Sequence, residues 1–360
     1  MSQLSCIPKN RSMIWRLAIV MLSSLATKCM STTKYKLLKS EEIYNQLHTL
    51  SKKYPSLVKL KTSQEMYNLP TIGTPDDCPY DKYYNSKVTY SDAMNMSHFS
   101  YKNDRSSTIS STHGCNIWIL TIEDKIAHPV GTDSHKSLPE IFISGAIHGR
   151  ERVGPTAVIE TANILLEAAY CESLPLSINE PIGPNDTKER WKLWNDQIRE
   201  SRLCRRSLKK KGIDDNHRKW LARLVTTRRI VMVPTVNSIG FFRSSDRENG
   251  MSVKSDFPFD LSISEKHGKD GGNCMRTIAA RTINELFRTH MFQISLSFHA
   301  GMVFTGYPYG SLSNVHKTSP DANCMEDISE AISVYGDGFK WSNLDRYPTG
   351  QINDMYGPSR

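Results

Sequence analysis

Apolar residues fall along this chain in short, nearly continuous runs separated by polar stretches. Cys115–Ile122 (Cys-Asn-Ile-Trp-Ile-Leu-Thr-Ile) reads as a strand, and so do Pro139–Ile147, Arg229–Val233 and Ile294–Phe298. Arg229–Val233, short and apolar, suits a sheet buried on both faces. Between them, Ala157, Thr161, Ile164, Leu165 and Ala168 recur at helical spacing and predict a helix over 153–168. A second helix is predicted over 277–287. Ile43, Leu47, Leu50 and Leu57, set among polar residues, predict an amphipathic surface helix that ends near Pro55. Strands alternating with helices predict an α/β fold whose central sheet is covered on both sides.

Two stretches break this rhythm. Residues 64–113 are rich in Pro, Asp, Asn, Ser and Tyr and read as a loop-heavy excursion, and residues 171–220 read as a second insert. Within the latter, Pro181-Ile182-Gly183-Pro184-Asn185-Asp186 has the composition of a surface loop. At the start of the chain, Lys9, Arg11 and Arg16 precede the apolar run Leu17–Leu22, and Ser23-Ser24-Leu25-Ala26 follows. Basic start, short apolar centre and small residues at the end are the order of a secretory signal, so residues 1–26 are expected to be a leader and 27–360 a single domain. No apolar run reaches the ~20 residues of a membrane-spanning helix. Cleavage after Ala26 would remove Cys6 and leave Cys29, Cys78, Cys115, Cys171, Cys204, Cys274 and Cys324. None forms a C-x-x-C pair, which argues against a zinc ribbon or thioredoxin motif and leaves disulfides in an oxidising, secretory compartment. Asn95-Met96-Ser97 and Asn185-Asp186-Thr187 are glycan acceptor tripeptides.

The 360 residues are 38% hydrophobic, enough to fill a core, and carry a formal charge of +9. That charge is concentrated. Between Arg199 and Arg229 lie twelve Lys and Arg against Glu200, Asp214 and Asp215. Such a block can bind phosphates. Without an interleaved aromatic platform or a recognition motif it reads instead as a solvated helical face or insertion, with no nucleic-acid partner expected.

The chemistry lies at two strand ends. Ala146-Ile147-His148-Gly149-Arg150-Glu151 puts a histidine where a strand stops and a glutamate where the next helix opens. Ser297-Phe298-His299-Ala300-Gly301 delivers a second histidine from another strand end. In open α/β sheets, sites gather beyond the carboxyl ends of the strands. Two histidines and one glutamate with a fourth position for water form a catalytic zinc arrangement, of which carboxypeptidase A is a standard example. Taken singly, Glu151 could be a helix-opening acid favoured by the dipole, and His299 a hydrogen-bonded core residue.

On these residues, together with Leu221–Leu224, Val233-Pro234-Thr235-Val236-Asn237, Asp256-Phe257-Pro258-Phe259-Asp260 and Asn273–Gly310, the chain resembles the zinc metallocarboxypeptidases of the carboxypeptidase A family, in a secreted, protozoan-type branch. The resemblance runs from about Tyr35 to the C-terminus. It implies a mixed, mostly parallel eight-stranded sheet sandwiched between helices, one zinc ion, and proteolysis that removes C-terminal residues from peptides and proteins. It further implies His148, Glu151 and His299 as zinc ligands, Arg150 on a substrate main-chain carbonyl, Arg247 polarising the scissile carbonyl, and Tyr356 over the substrate. A fixed guanidinium such as Arg247 gains in effect as oxyanion charge develops.

Two departures qualify the resemblance. Lys254 and Ser255 stand where the family has the Asn-Arg pair that grips the terminal carboxylate. Lys254 can attract a carboxylate as a point charge but lacks the guanidinium fork. The family's proton-transferring glutamate follows the tyrosine, whereas the last glutamate here is Glu330. The resemblance therefore implies a C-terminally truncated copy with impaired turnover, the general acid/base being worth roughly 10²–10⁴-fold. The alternative is a non-catalytic zinc- or peptide-binding paralogue of the same fold.

Overall fold

The computed structural model of the chain describes residues 36–74, 76–81, 114–175, 188–257, 275–311, 314–335 and 346–355. The leader, Cys6, Cys29, Cys274, both glycan tripeptides and Tyr356 lie outside the described residues. Two units are distinguished, one of Lys36–Leu166 and Val225–Ala300, the other including Glu167–Leu224 and the residues from Gly301 onward.

In chain order, α1 (Ser40–Lys53) leads to β1 (Val58–Thr62) and the short α2 (Ser63–Tyr67). After β2 (Trp118–Ile122) come α3 (Asp133–Lys136), β3 (Glu140–Gly145) and the long α4 (Val153–Ser173). Next are α5 (Lys188–Lys210), α6 (Asp215–Thr227), β4 (Arg229–Val233) and α7 (Ser238–Arg243). The small strands β5 (Arg247–Glu248) and β6 (Met251–Ser252) precede α8 (Ile278–Thr289) and β7 (Phe292–Phe298). The chain continues through β8 (Thr305–Tyr307), α9 (Ala322–Tyr335), β9 (Thr349–Gln351) and α10 (Ile352–Met355).

The α/β architecture with a mixed central sheet agrees with the sequence expectation. Its strand order is β1-β2-β4-β3-β7. The β1–β2 and β2–β4 pairs are antiparallel, and the β4–β3 and β3–β7 pairs parallel. Five strands, not eight, join it among the described residues, because β5–β6 and β8–β9 pair off as separate two-stranded pieces. β2 and β3 are buried along their whole length, as their unbroken apolar runs require. Ile117, Ile119, Phe142, Val231, Val233, Ile239 and Leu286 form the core of the sheet-bearing unit.

One boundary moves for a definite reason. β2 starts at Trp118 rather than Cys115, because the preceding backbone groups find other partners. The Asn116 N–H donates to Asp81 Oδ2 (3.0 Å) and the Ile117 N–H to Gln64 Oε1 (3.1 Å), while the Cys115 N–H and carbonyl pair with the Ile72 backbone (2.8 and 3.0 Å). Asp81 also accepts from Trp118 Nε1 (3.0 Å), and burial pushes its carboxyl up to about 7 despite these donors. Residues 171–220 likewise hold more structure than an insert. Cys171–Cys204 ties α5 to the end of α4, and Glu172 accepts from both Arg205 (2.8 Å) and Arg218 (2.6 Å).

At the amino ends of β3, β4 and β7 lies a compact charge network. Arg229 donates to Glu123 (2.7 Å) and Glu140 (2.5 Å) and reaches the carbonyl of His135 (2.9 Å). Glu140 is also met by His290 Nδ1 (3.0 Å) and the Met291 N–H (2.6 Å). Burial pushes the Glu140 carboxyl up, but the bonds from His290, Arg229 and Met291 more than reverse it and hold it below the usual carboxylate range.

Candidate metal centre

The opposite, carboxyl end of the same strands carries the site. In the parallel β3–β7 pair Gly145 stands opposite Phe298, so the residues that follow each strand leave the sheet at one level. His299 follows directly on Phe298, and His148 lies three residues past Gly145. Between them Ala146 turns the chain with φ of +49°, an unusual backbone for a residue with a Cβ. This turn is held from outside, since the Val236 and Asn237 N–H groups donate to the Gly145 and Ala146 carbonyls (both 3.0 Å).

Close approach here depends on glycine. A Cβ on Gly145 would lie 2.7 Å from the Gly154 carbonyl carbon, and one on Gly154 would lie 2.7 Å from the Phe298 carbonyl oxygen. The end of β3, the first turn of α4 and the end of β7 therefore meet at backbone contact. Gly149 serves the same purpose against the α7 turn, where a Cβ would come within 2.2 Å of Gly240 and the Ser245 carbonyl.

The outcome is a three-residue cluster. His148, Glu151 and His299 each offer one ligand atom, and these atoms all lie within 4.8 Å of one another. His148 Nδ1 is 2.9 Å from Glu151 Oε1, and His299 Nδ1 is 2.9 Å from Glu151 Oε2. The ring centroids are 5.2 Å apart at 59°. Glu151 Oε2 is buried and, although close to His299, satisfies no hydrogen-bond geometry. Two imidazoles and one carboxylate whose ligand atoms converge within 4.8 Å, with a buried carboxylate oxygen beside His299 in poor hydrogen-bond geometry, fit a shared cation. Two ligands on one tetrahedral zinc stand about 3.4 Å apart, within the spread of this cluster. Burial pushes the Glu151 carboxyl up, but the two imidazoles outweigh it and hold it at about 2. The carboxylate is ionised throughout the range in which a metal could bind. His299 is 47% exposed, which leaves the cluster open to solvent on one side.

Beside it lies a cleft of about 450 Å³ lined by His148, Arg150, Asp246, Arg247 and Lys254, with Ser244, Ser245 and Ser252 completing the wall. Arg150 and Lys254, singled out in the sequence for substrate, and Arg247 thus share one surface with a metal-cluster histidine. Their states differ. Arg150 is held by Asp246, which accepts from its Nε (2.8 Å), its Nη2 and its backbone N–H (3.3 Å). Arg247 sits at the first position of a hairpin whose Asn249-Gly250 turn has φ of +49° and +86°, and its Nη1 donates to the Gly250 carbonyl (2.6 Å). Positive φ at both central residues is what a type I′ turn requires, and Asn-Gly supplies it at least cost. Lys254 is exposed and makes no hydrogen bond or ion pair among the described residues.

Sequence reading missed two residues. Asp246 stands directly before Arg247, and the need of Arg150 for a counter-ion was its only signal. Glu248 is buried and caps α8 by accepting from the Ile278 (2.6 Å) and Ala279 (3.0 Å) N–H groups. Those partners lie some thirty residues away, and nothing local announces them.

Residues 89–175, the segment that carries His148 and Glu151, match the family model for zinc carboxypeptidase. No curated protein matches the chain. Among solved structures it is similar to the carboxypeptidase A from Helicoverpa armigera, with 14% identity, a TM-score of 0.45 and coverage of 96% of this chain and 66% of that one. For thrombin activatable fibrinolysis inhibitor the identity is 12%, the TM-score 0.48 and the coverage 94% of this chain and 65% of that one. Bovine thrombin-activatable fibrinolysis inhibitor, in complex with tick carboxypeptidase inhibitor, has 13% identity, a TM-score of 0.45 and coverage of 90% and 80%. The chain thus spans just under two thirds of the first two structures, and at TM-scores below 0.5 these likenesses say nothing about its chemistry. The segment that matches the family model contains the first two cluster residues, and His299 lies outside it.

Proposed function

We propose that the chain is a zinc metallocarboxypeptidase-family protein of the secretory pathway that acts on the C-termini of peptides, with His148, Glu151 and His299 as its metal ligands. The observation that carries this reading is the convergence of His148, Glu151 and His299, one imidazole on each oxygen of the carboxylate and the ligand atoms within 4.8 Å of one another. The Cys78–Cys115 and Cys171–Cys204 disulfides support an oxidising compartment. A zinc ion held there would supply Lewis-acid polarisation of a carbonyl and a water acidified toward neutral pH.

The protein's own residues define the rest. Arg247 stands on the cleft wall as a rigid donor for a substrate carbonyl, fixed by the hairpin and by its bond to Gly250. Arg150, neutralised by Asp246, presents its remaining N–H groups as hydrogen-bond donors rather than as a free charge. Lys254 is the cation left to attract a terminal carboxylate, and as a point charge it does so without fixing direction.

A second reading, a binding protein that retains the metal and has lost turnover, is favoured by Lys254 and Ser255 in the carboxylate-gripping positions. The discriminating experiment uses the zinc-loaded chain and a peptide with a free C-terminus, beside its amidated twin. Chelator-sensitive release of the C-terminal residue supports the enzyme. Binding of the free-carboxylate peptide without release supports the binding protein. Equal binding of both peptides, with no release, contradicts both readings.

A further inference from the structure

The cations of the basic segment divide into two sets with different fates. Those facing inward are used by the fold. Arg205 donates to Glu172 (2.8 Å) and to the Cys171 carbonyl (3.0 Å), Arg218 to Glu172 (2.6 Å) and Asp215 (2.5 Å), and Lys211 to Glu167 (2.8 Å). The outward set is not. Lys192, Arg202, Arg206, Lys209 and Lys210 are exposed and make no hydrogen bond or close ion pair among the described residues. Arg199, also exposed, has only a loose contact with Asp196 at 3.9 Å.

These six lie on one side of α5. At 100° per residue Lys192, Arg199, Arg206 and Lys210 fall along a single line, with Arg202 and Lys209 on its flank. The row is about 27 Å long at 1.5 Å rise per residue. Ser201 and Leu208 on the opposite side and Ile198 beside the flank are buried against the protein, while Leu193 and Leu203 stay exposed. What remains outward is a straight cationic ridge with one acid, Asp196, and exposed Leu203 within it.

We propose that this ridge is a docking surface for a linear sulfated polysaccharide. Charge complementarity points to a polyanion, and the row's length and straightness to an extended one. Three of the six cations are arginines, whose planar fork matches the oxygens of a sulfate. The compartment narrows the choice. Cys204, on the same helix, is bonded to Cys171, and such bonds persist where the surroundings are oxidising. Two exposed leucines, Leu193 and Leu203, are too few to form the continuous apolar side by which amphipathic helices engage a membrane surface. Aromatics stand only at the amino end of the ridge, where Trp191 and Trp194 are half-buried and Arg190 covers the Trp194 ring, so it has no run of stacking platforms such as single-stranded nucleic acids use.

The test compares elution of the full chain from immobilised heparin and from a sulfonate cation exchanger at pH 7. Elution from heparin at clearly higher salt is expected. With about five charges neutralised, affinity for heparin should fall several hundredfold between 50 and 200 mM salt. The variant R199S/R202S/R206S/K210S should lose the difference between the two columns. A charge-matched control, K52S/K59S/K136S/R288S, should keep it. Circular dichroism and the melting midpoint establish that both variants fold. Replacing the three arginines by lysine should give an intermediate elution, because charge is kept and the fork is lost. Co-elution of the ridge variant with the parent from heparin would overturn the proposal. So would equal elution of the parent from both columns, or tighter binding at equal salt to duplex DNA or to phosphatidylserine vesicles.

Discussion

The two ends of one set of strands gather the same residue types and treat them differently. At the amino ends of β3, β4 and β7, two histidines and two glutamates surround Arg229, and each carboxylate is met by a cation or an N–H donor. At the carboxyl ends, two histidines surround Glu151 alone, one of whose oxygens is buried without a hydrogen bond. The first cluster pairs its carboxylates with donors of the protein, and the second gathers three metal-ligand side chains within 4.8 Å of one another. Ion pairs of the first kind hold a fold together. A site of the second kind is disposed to take a charge from outside.

The largest expected effect comes from removing the internal cation. Arg229→Met takes from buried Glu123 and Glu140 the guanidinium they share, leaving Glu140 with His290 and the Met291 N–H and Glu123 with His135 nearby. It should lower unfolding free energy by about 3 kcal/mol in urea titrations. Zinc uptake per folded chain should be unchanged. If the variant is as stable as the parent, the amino-end network is not structural.

A pH series sharpens the contrast between satisfied and desolvated carboxylates. Asp81, raised to about 7, is protonated in the folded chain and ionised in the unfolded chain between roughly pH 4 and 7. Stability should therefore fall as pH rises through that window, by as much as a few kcal/mol, and Asp81→Asn should flatten the slope. Glu140 has the opposite sign. Its depressed folded pKa contributes stability that is present above the ordinary carboxylate range and lost as pH falls below it. Glu140→Gln should remove that acid limb. Slopes of one common sign in both variants would contradict this assignment.

A smaller effect tests the carboxyl end. Zinc at about 100 times its dissociation constant should stabilise the parent by ~2.7 kcal/mol through mass action, and His299→Ala should abolish the gain. Melting curves with zinc and with chelator read this directly.

Much of the sheet and the three cluster residues were legible in the chain because each depends on local pattern. β3, β4 and β7 are short apolar runs, and His148 and His299 stand where two of them end. What was not legible depends on partners distant in sequence. The start of β2 is set by Asp81 and Gln64, the hold on Arg150 by Asp246, and the cap on α8 by Glu248. The basic segment showed its charge but not its division, since only the packing of α5 and α6 decides which cations find Glu167, Glu172 and Asp215. Composition likewise suggested an insert at 171–220, where a disulfide and two helices stand.

The central claim is that the carboxyl-end cluster is the chain's cation site and the amino-end cluster is not. Isothermal titration of zinc into chelator-stripped protein addresses it most directly. One site per chain is expected in the parent and in His290→Ala, and none in His148→Ala. Undiminished uptake by His148→Ala, or equal loss in His290→Ala, would contradict the account.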